Sequence, residues 1–208
     1  KALDIALKVD SRAGRQVVAH AYRLLGGIDA RRGNFSDAVH MCRESVRLYQ
    51  EIEDRVGLAK AYNNLAVAYY NQGDWAQARD AYNESLVIRQ HVGDIYGQAI
   101  IISNLAEIHR DRGTWDRAAE LYEQSMAIWK QIGVRWGEAL TLNDMAQLHI
   151  YKGELAEARD CLARSQAIFA EVGSHEYLPE LERHWAEFYL KSGELDHALV
   201  HIQRSTGC

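Results

Sequence analysis

Histidine and cysteine are the residues of this chain whose chemistry could serve catalysis or metal binding. His197 and His201 are four residues apart, a spacing that presents two imidazole nitrogens on one face of a helix, as zinc sites require. The sequence places no third ligand beside them, so it predicts no metal site. The three cysteines, Cys42, Cys161 and Cys208, are odd in number and far apart, which favours free thiols in a reducing compartment, the cytoplasm.

Motifs that organise a catalytic centre are missing from the sequence. It contains no glycine-rich loop for phosphate, no paired cysteines at zinc spacing, no HExxH and no GxSxG. Carboxylates are plentiful, but on helical stretches their usual role is solvation. We therefore predict no catalytic residues, no cofactor and no enzymatic activity.

The composition is that of an ordinary globular protein. Of the 208 residues, 48% are hydrophobic and 25% are charged, with a formal net charge of −5. Both signs of charge are interleaved, and no basic stripe favours nucleic acid as a partner. No run of apolar residues is long enough to span a membrane, so no membrane partner is predicted either.

The elements that carry these residues repeat with a period of 40 residues. Five related hexapeptides each begin with glycine, and they are GNFSDA from Gly33, GDWAQA from Gly73, GTWDRA from Gly113, GELAEA from Gly153 and GELDHA from Gly193. Twelve residues after each glycine is a serine, in the series Ser45, Ser85, Ser125, Ser165 and Ser205. Five copies in register identify a repeat protein.

Each repeat is predicted to contain two helices, A and B, separated by its glycine. The stretch from Gly57 to Asn71 has apolar residues at helical spacing and no breaker, so it is predicted to be a helix A. Gly73 then ends the helix in a left-handed conformation. Small residues that allow two helices to approach closely lie seven positions before the glycines, at Gly26, Ala66, Ala106, Ala146 and Ala186.

The residues that follow each glycine are predicted to start helix B. Asn34, Asp74 and Thr114 are good N-caps, whereas Glu154 and Glu194 are poorer ones and predict looser turns. The next residue in each repeat is predicted to fill the space between the paired helices, and these residues are Phe35, Trp75, Trp115, Leu155 and Leu195.

The sequence resembles the tetratricopeptide repeat, which has Leu-Gly/Ala in helix A, Gly-Asp/Asn-Tyr/Phe at the turn and Ala starting helix B. Its 40-residue period is six residues longer than the usual 34. In this it is similar to a subclass found in Pins-type adaptors and in sensor domains of bacterial regulators like the maltose activator. The resemblance implies an all-α fold, a right-handed α-solenoid of antiparallel helix pairs.

The predicted organisation is a single solenoid that forms part of a larger protein. Residues 1–10, with Leu3, Ile5 and Val9, are expected to be the tail of a preceding helix. The expected repeats are 15–54, 55–94, 95–134, 135–174 and an incomplete 175–208.

In the resembled family, the A helices line a concave groove that binds a protein or peptide. Its inward positions lie ten, six, three and two residues before the turn glycine. Carried onto this sequence, the resemblance implies the peptide-binding residues Arg23, Asn63, Tyr70, Glu107, Arg110, Asn143, Gln147 and Tyr151. Their amides can hydrogen-bond a peptide backbone, and their tyrosines offer apolar contact with a polar tip.

Three hypotheses for function follow. The first is a non-catalytic protein- or peptide-binding module within a larger regulator or adaptor. The second is a scaffold that self-associates into a homo-oligomer, using apolar faces or exposed aromatic residues such as Trp129 and Trp136. The third is a sensor of a small molecule or signal peptide within a bacterial transcription regulator.

Overall fold

The structure is a computed structural model that describes residues 11–206. These residues form helices joined by short turns, without a β-strand. The helices are α1 (Arg12–Arg31), α2 (Phe35–Glu51), α3 (Arg55–Gln72), α4 (Trp75–Val92), α5 (Ile95–Asp111), α6 (Trp115–Ile132), α7 (Arg135–Lys152), α8 (Leu155–Val172), α9 (Leu178–Ser192) and α10 (Leu195–Thr206). The all-α prediction is confirmed, and odd-numbered helices are the A helices.

The chain divides into two compact units, one ending at Asn104 and one starting at Leu105, a boundary that falls within α5. In the first unit α1 packs on α2 and α3 packs on α4. In the second unit α7 packs on α8 and α9 packs on α10. The expected tail helix in residues 1–10, and Cys208, lie outside the described residues.

Glycine ends most of the A helices in the predicted way. Gly73 has φ 84°, and the N–H of Asp74 after it bonds the carbonyl oxygen of Tyr69 at 2.9 Å. This bond reaches back five residues, as in a Schellman motif, and satisfies a carbonyl that the helix leaves free. The turn at Glu154 has the same bond at 2.9 Å to His149, so the expected looser turn there is wrong.

The predicted caps of the B helices are only partly correct. The side chain of Asp74 accepts a hydrogen bond from the N–H of Gln77, as an N-cap should. Asn34 and Thr114 make no such bond. The hydroxyl of Thr114 donates instead to the carbonyl oxygen of His109 at 2.9 Å, because the tight turn brings that carbonyl within reach.

The small residues of the A helices lie at helix crossings, as predicted. Ala66 and Ala146 are fully buried. A Cβ atom on Gly26 would lie 2.5 Å from the sulfur of Cys42 in the facing helix, so that crossing tolerates no side chain. The close approach of the Cys42 side chain therefore favours glycine at this position.

Another column of contacts joins one repeat to the next. Near the start of α7, a Cβ atom on Gly137 would lie 2.4 Å from the indole ring of Trp129 in α6. Gly57 has the same relationship to the ring of Tyr49. At Gly97 the facing residue is Arg89, a buried arginine that bonds Asp94 and the hydroxyl of Ser85.

Several aromatic residues differ from the sequence-based expectation. Trp129 was expected to be exposed, yet only 2% of its surface is accessible because the indole ring packs on Gly137. Its neighbour Trp136 stacks on Tyr177, with ring centroids 6.2 Å apart. Leu195 was expected to fill the space between paired helices but is 61% exposed.

Candidate functional site

The predicted binding residues fall in both units. Arg23, Asn63 and Tyr70 lie in the first unit, where the side-chain amide of Asn104 donates to the amide oxygen of Asn63 at 3.4 Å. The second unit contains Glu107, Arg110, Asn143, Gln147 and Tyr151. Arg110, Asn143 and Gln147 are buried, and Tyr151 is 39% exposed.

Arg110 is held by its neighbours in the second unit. Its Nε donates to the carboxylate of Asp111 at 2.8 Å, and its Nη1 donates to the hydroxyl of Tyr122 at 3.4 Å. Only 7% of the residue is accessible. The guanidinium is therefore hydrogen-bonded to one carboxylate and one hydroxyl.

Glu107 and Asp144 are two carboxylates that Arg110 attracts without a hydrogen bond, and Arg183 also attracts Asp144. Both are half-buried, and neither makes a hydrogen bond or ion pair within the part of the chain that the structure describes. Burial raises the pKa of Glu107 to about 7, and repulsion by Glu180 and Asp111 adds to the rise against the attraction of Arg110. Burial, followed by repulsion from Glu107, raises the pKa of Asp144 well above its ordinary value.

Helix α9 contributes a second arginine–carboxylate pair and a buried histidine. Arg183 bonds Glu180 at 3.3 Å, one turn earlier in the helix. His184 is fully buried, and its Nε2 lies 3.0 Å from a guanidinium nitrogen of Arg183. Burial, together with Arg183 and Arg110, lowers the pKa of His184 to about 3, so the imidazole is neutral at physiological pH.

Asn143 is a buried polar residue whose side chain has no hydrogen-bond partner. It is fully buried, and neither the oxygen nor the nitrogen of its side-chain amide has a hydrogen-bond partner. One turn later, the amide of Gln147 donates to the hydroxyl of Tyr151 at 3.1 Å. Buried polar groups are normally paired, so an unpaired amide marks a place where a ligand or water can bond.

We call Glu107, Arg110, Asp111, Asp144, Glu180 and Arg183 the acidic cluster. Asp144, Glu180 and His184 were not predicted as site residues. The signal for two of them was in the sequence, because the position nine before each turn glycine holds Asn64, Asn104, Asp144 and His184 in four repeats. The family pattern used for the prediction did not include that position.

The first unit contains an apolar cavity that the sequence did not indicate. Its volume is about 510 Å³, and it lies among the ends of α3, α4 and α5. Its wall includes the partly exposed side chains of Val56, Val92 and Tyr96, with Arg89 and Asp94 at one side. In the next repeat Trp129 stands at the position of Arg89.

Neither a metal centre nor a membrane segment emerges from the described residues. Nowhere within residues 11–206 are three His, Cys, Asp or Glu side chains grouped so that they could hold a metal ion. His201 bonds Glu182 and stacks on Tyr189, while His197 bonds Glu194 at 3.1 Å. No helix in this range is long and apolar enough to cross a bilayer.

Known structures share the fold at low sequence identity. The alignment with BtubC from P. vanneervenii covers 99% of this chain and 86% of the BtubC chain, with 20% identity and a TM-score of 0.76. The alignment with a putative kinesin light chain from Podospora anserina, which has TPR-like repeats, covers 90% of this chain and 93% of the kinesin light chain. The identity is 18% and the TM-score is 0.65. A third similar structure is a STAND protein with a tetratricopeptide repeat sensor from Pyrococcus horikoshii. The alignment covers 97% of this chain and 32% of that protein, with 14% identity and a TM-score of 0.75.

Comparison by sequence with curated proteins finds no match. The family model for the tetratricopeptide repeat, in contrast, matches residues 17–91 and again residues 97–171. These two stretches cover well over half of the chain, and the glycine turns at Gly73 and Gly153 lie within them. The chain belongs to the tetratricopeptide repeat family.

Proposed function

We propose that this chain is a non-catalytic module that binds a peptide segment of another protein on the inward faces of its A helices. The observation that carries the proposal is the side-chain amide of Asn143, which is buried without a hydrogen-bond partner. An amide can donate to a peptide carbonyl and accept from a peptide N–H, so a peptide backbone that reaches Asn143 once the side chains covering it have moved satisfies both ends. Helical repeats commonly use their A-helix faces in this way.

The surrounding residues give the surface its further contacts. Tyr151 is exposed and offers a ring for apolar contact, and Gln147 orients its hydroxyl. Glu107 and Arg110 supply charge beside them. Arg23, Asn63 and Tyr70 form the corresponding surface of the first unit. We place the protein in a reducing compartment, the cytoplasm, because Cys42 and Cys161 are buried free thiols.

A random peptide display library, selected on the immobilised protein, tests the proposal. We expect enrichment of peptides that bind the wild-type chain and lose at least about tenfold in affinity to Asn143→Ala and Tyr151→Ala, since a lost hydrogen bond or aromatic contact is worth about 1.4 kcal/mol. Asn83→Ala, an exposed asparagine in the B helix α4, is the matched control and leaves binding unchanged. Failure to enrich any peptide, or equal binding by all variants, would overturn it.

A second candidate function is self-association through α10. Leu195, Leu199 and Ile202 lie at helical spacing on this helix, and between 40% and 61% of each residue is exposed. Exposed apolar stripes of this kind can mark contact surfaces. Sedimentation velocity compares the oligomeric state of the wild type with that of Leu199→Glu. A dimer that forms through this stripe dissociates when a charge is placed in it. The sensor hypothesis stays a prediction.

A further inference from the structure

The cavity of the first unit lies where three helices of neighbouring repeats meet. It is lined by the start of α3, the end of α4 and the start of α5, and its volume is about 510 Å³. Its wall is mainly apolar, with aliphatic side chains from Val56, Val92 and Ile100. Cavities of roughly 300 to 1,000 Å³ with apolar walls and a few polar groups are the usual form of small-molecule sites in proteins.

Two cations and one carboxylate line this cavity. Lys60 on α3 is exposed and has no ion-pair partner among the residues that the structure describes. Arg89 on α4 is paired with Asp94, which also lines the cavity. The wall therefore carries one more positive charge than negative charge, and a monovalent anion would neutralise the excess.

Arg89 occupies a position at which other repeats bury an aromatic ring. The equivalent residues in those repeats are Tyr49, Trp129 and Phe169, each with at most 3% of its surface accessible. Arg89 is buried almost as completely, at 7%. Burying a guanidinium costs free energy that burying an aromatic ring does not. The packing of the repeat therefore does not explain the charge at this position.

The ion pair with Asp94 does not explain this charge either. Asp94 caps α5, because its carboxylate accepts a hydrogen bond from the N–H of Gly97 at 2.8 Å. Asp54 caps α3 in the same way, at 2.9 Å from the N–H of Gly57, and its other oxygen accepts from the amide of Gln16. A neutral partner therefore suffices for a capping aspartate in this fold.

The guanidinium of Arg89 retains donors for a further partner. Its Nε donates to the hydroxyl of Ser85 at 3.2 Å, and its Nη1 donates to the carboxylate of Asp94. Its Nη2 bonds none of the residues that the structure describes. An arginine has five N–H donors, and its planar fork matches a planar carboxylate. Arg89 can therefore bond a second carboxylate while it remains paired with Asp94.

We propose that the cavity binds a small molecule with an apolar body and a single carboxylate group. The apolar body packs against Val56, Val92 and Ile100, and the carboxylate is held by Lys60 and Arg89. Hydrogen bonds between ionised groups are about twice as strong as neutral ones, so the two cations select an anion. The site lies in the first unit and does not depend on the proposed peptide-binding function.

Four probes of matched structure test the site. Octanoate has both the apolar body and the carboxylate, octanol has the body without the charge, octylammonium reverses the charge, and acetate has the carboxylate without the body. Each is titrated into the isotopically labelled chain, and its affinity is measured from the amide shifts of Ala59 and Ile100 in the cavity wall. We expect octanoate to bind at least about tenfold more tightly than octanol, and acetate and octylammonium to bind more weakly than octanol.

Two substitutions locate the carboxylate. Lys60→Gln removes an exposed cation and is expected to lower the affinity for octanoate about threefold without changing that for octanol. Arg89→Tyr introduces the ring that the preceding repeat buries at Tyr49, so the fold accepts it, and the preference for octanoate over octanol is lost. A thermal melt checks that this variant is folded. Lys130→Gln, at an exposed position on α6, is the matched control and preserves the affinity for octanoate.

Each alternative occupant has its own outcome. Equal affinities for octanoate and octanol would mean that the cavity takes a neutral apolar group, such as a side chain of a peptide partner, and would overturn the proposal. A preference for octanoate that both Lys60→Gln and Arg89→Tyr leave intact also contradicts it. Octanoate that causes no shifts in the cavity wall at millimolar concentration rules the site out. None of these results bears on the binding of peptides at Asn143.

Discussion

The hydroxyl of Ser165 donates a hydrogen bond of 2.8 Å to the backbone carbonyl of Ala139, which lies 26 residues earlier in the paired A helix. The same bond joins Ser85 to Ala59 and Ser45 to Ala19, each at 2.8 Å. These serines are fully buried. The regular spacing of serine therefore has a structural role in these three repeats, since it ties the B helix to the A helix of its own pair.

Replacing Ser165 by alanine tests that bond. We expect a loss of about 1 kcal/mol in the free energy of unfolding, the net value of a buried hydrogen bond, measured by urea denaturation. Ser205→Ala is the control, because Ser205 bonds the carbonyl of Ile202 in its own helix and is more exposed. Equal effects of the two substitutions would show that the bond between helices contributes nothing.

Gly137 packs directly beneath the indole ring of Trp129, and a side chain there has no room. Alanine is the better helix former by about 1 kcal/mol, but a Cβ atom 2.4 Å from the ring forces a rigid, buried side chain to move. We expect Gly137→Ala to destabilise the chain by about 2 kcal/mol. In the background of Trp129→Leu the same substitution becomes neutral or stabilising, and a double-mutant cycle in urea measures this coupling.

Glu107 makes the stability of the chain depend on pH. Its pKa in the folded chain is raised to about 7, above the ordinary value of 4.5, so the folded state binds more protons between these values. The stabilisation is fully present below pH 4.5 and is lost as pH rises through 7. We therefore expect Glu107→Gln to be more stable than wild type by about 1 to 2 kcal/mol at pH 8, a figure reduced for the partial exposure of the group, and nearly equal at pH 4.5.

Urea denaturation at the two pH values measures the effect of Glu107→Gln. Glu123→Gln, at an exposed position, is the control, because it changes the net charge equally without altering the acidic cluster. If both variants shift stability alike at pH 8, general repulsion rather than the cluster is responsible.

His184 remains neutral in the folded chain. Burial and the two nearby arginines lower its pKa to about 3, so the folded state resists protonation while the unfolded state accepts a proton below about pH 6.5. The corresponding stabilisation is present above pH 6.5 and is lost as pH falls toward 3. Nuclear magnetic resonance should find the imidazole carbon shifts of His184 constant from pH 5 to pH 8. A titration midpoint within that interval contradicts the buried, neutral state.

Much of the architecture could be predicted because it is local and periodic. The turn glycine at Gly73 ends its helix in the left-handed conformation, and alanines such as Ala146 lie at helix crossings, as the 40-residue period indicates. The caps were less predictable. Asp74 bonds the backbone of its helix whereas Thr114 turns to the preceding carbonyl, a choice between two nearby partners that sequence leaves open.

The sequence by itself determined the repeat, the two helices of each copy, the turns between them and the positions where small residues must lie. These follow from backbone sterics and helical spacing, which act over a few residues. The tertiary structure decided that Trp129 is buried while Trp115 is 38% exposed, and that Arg110 hydrogen-bonds Asp111 while it attracts Glu107 and Asp144 without a hydrogen bond. Such choices depend on distances between side chains of different helices, and equivalent positions in a periodic sequence do not encode them.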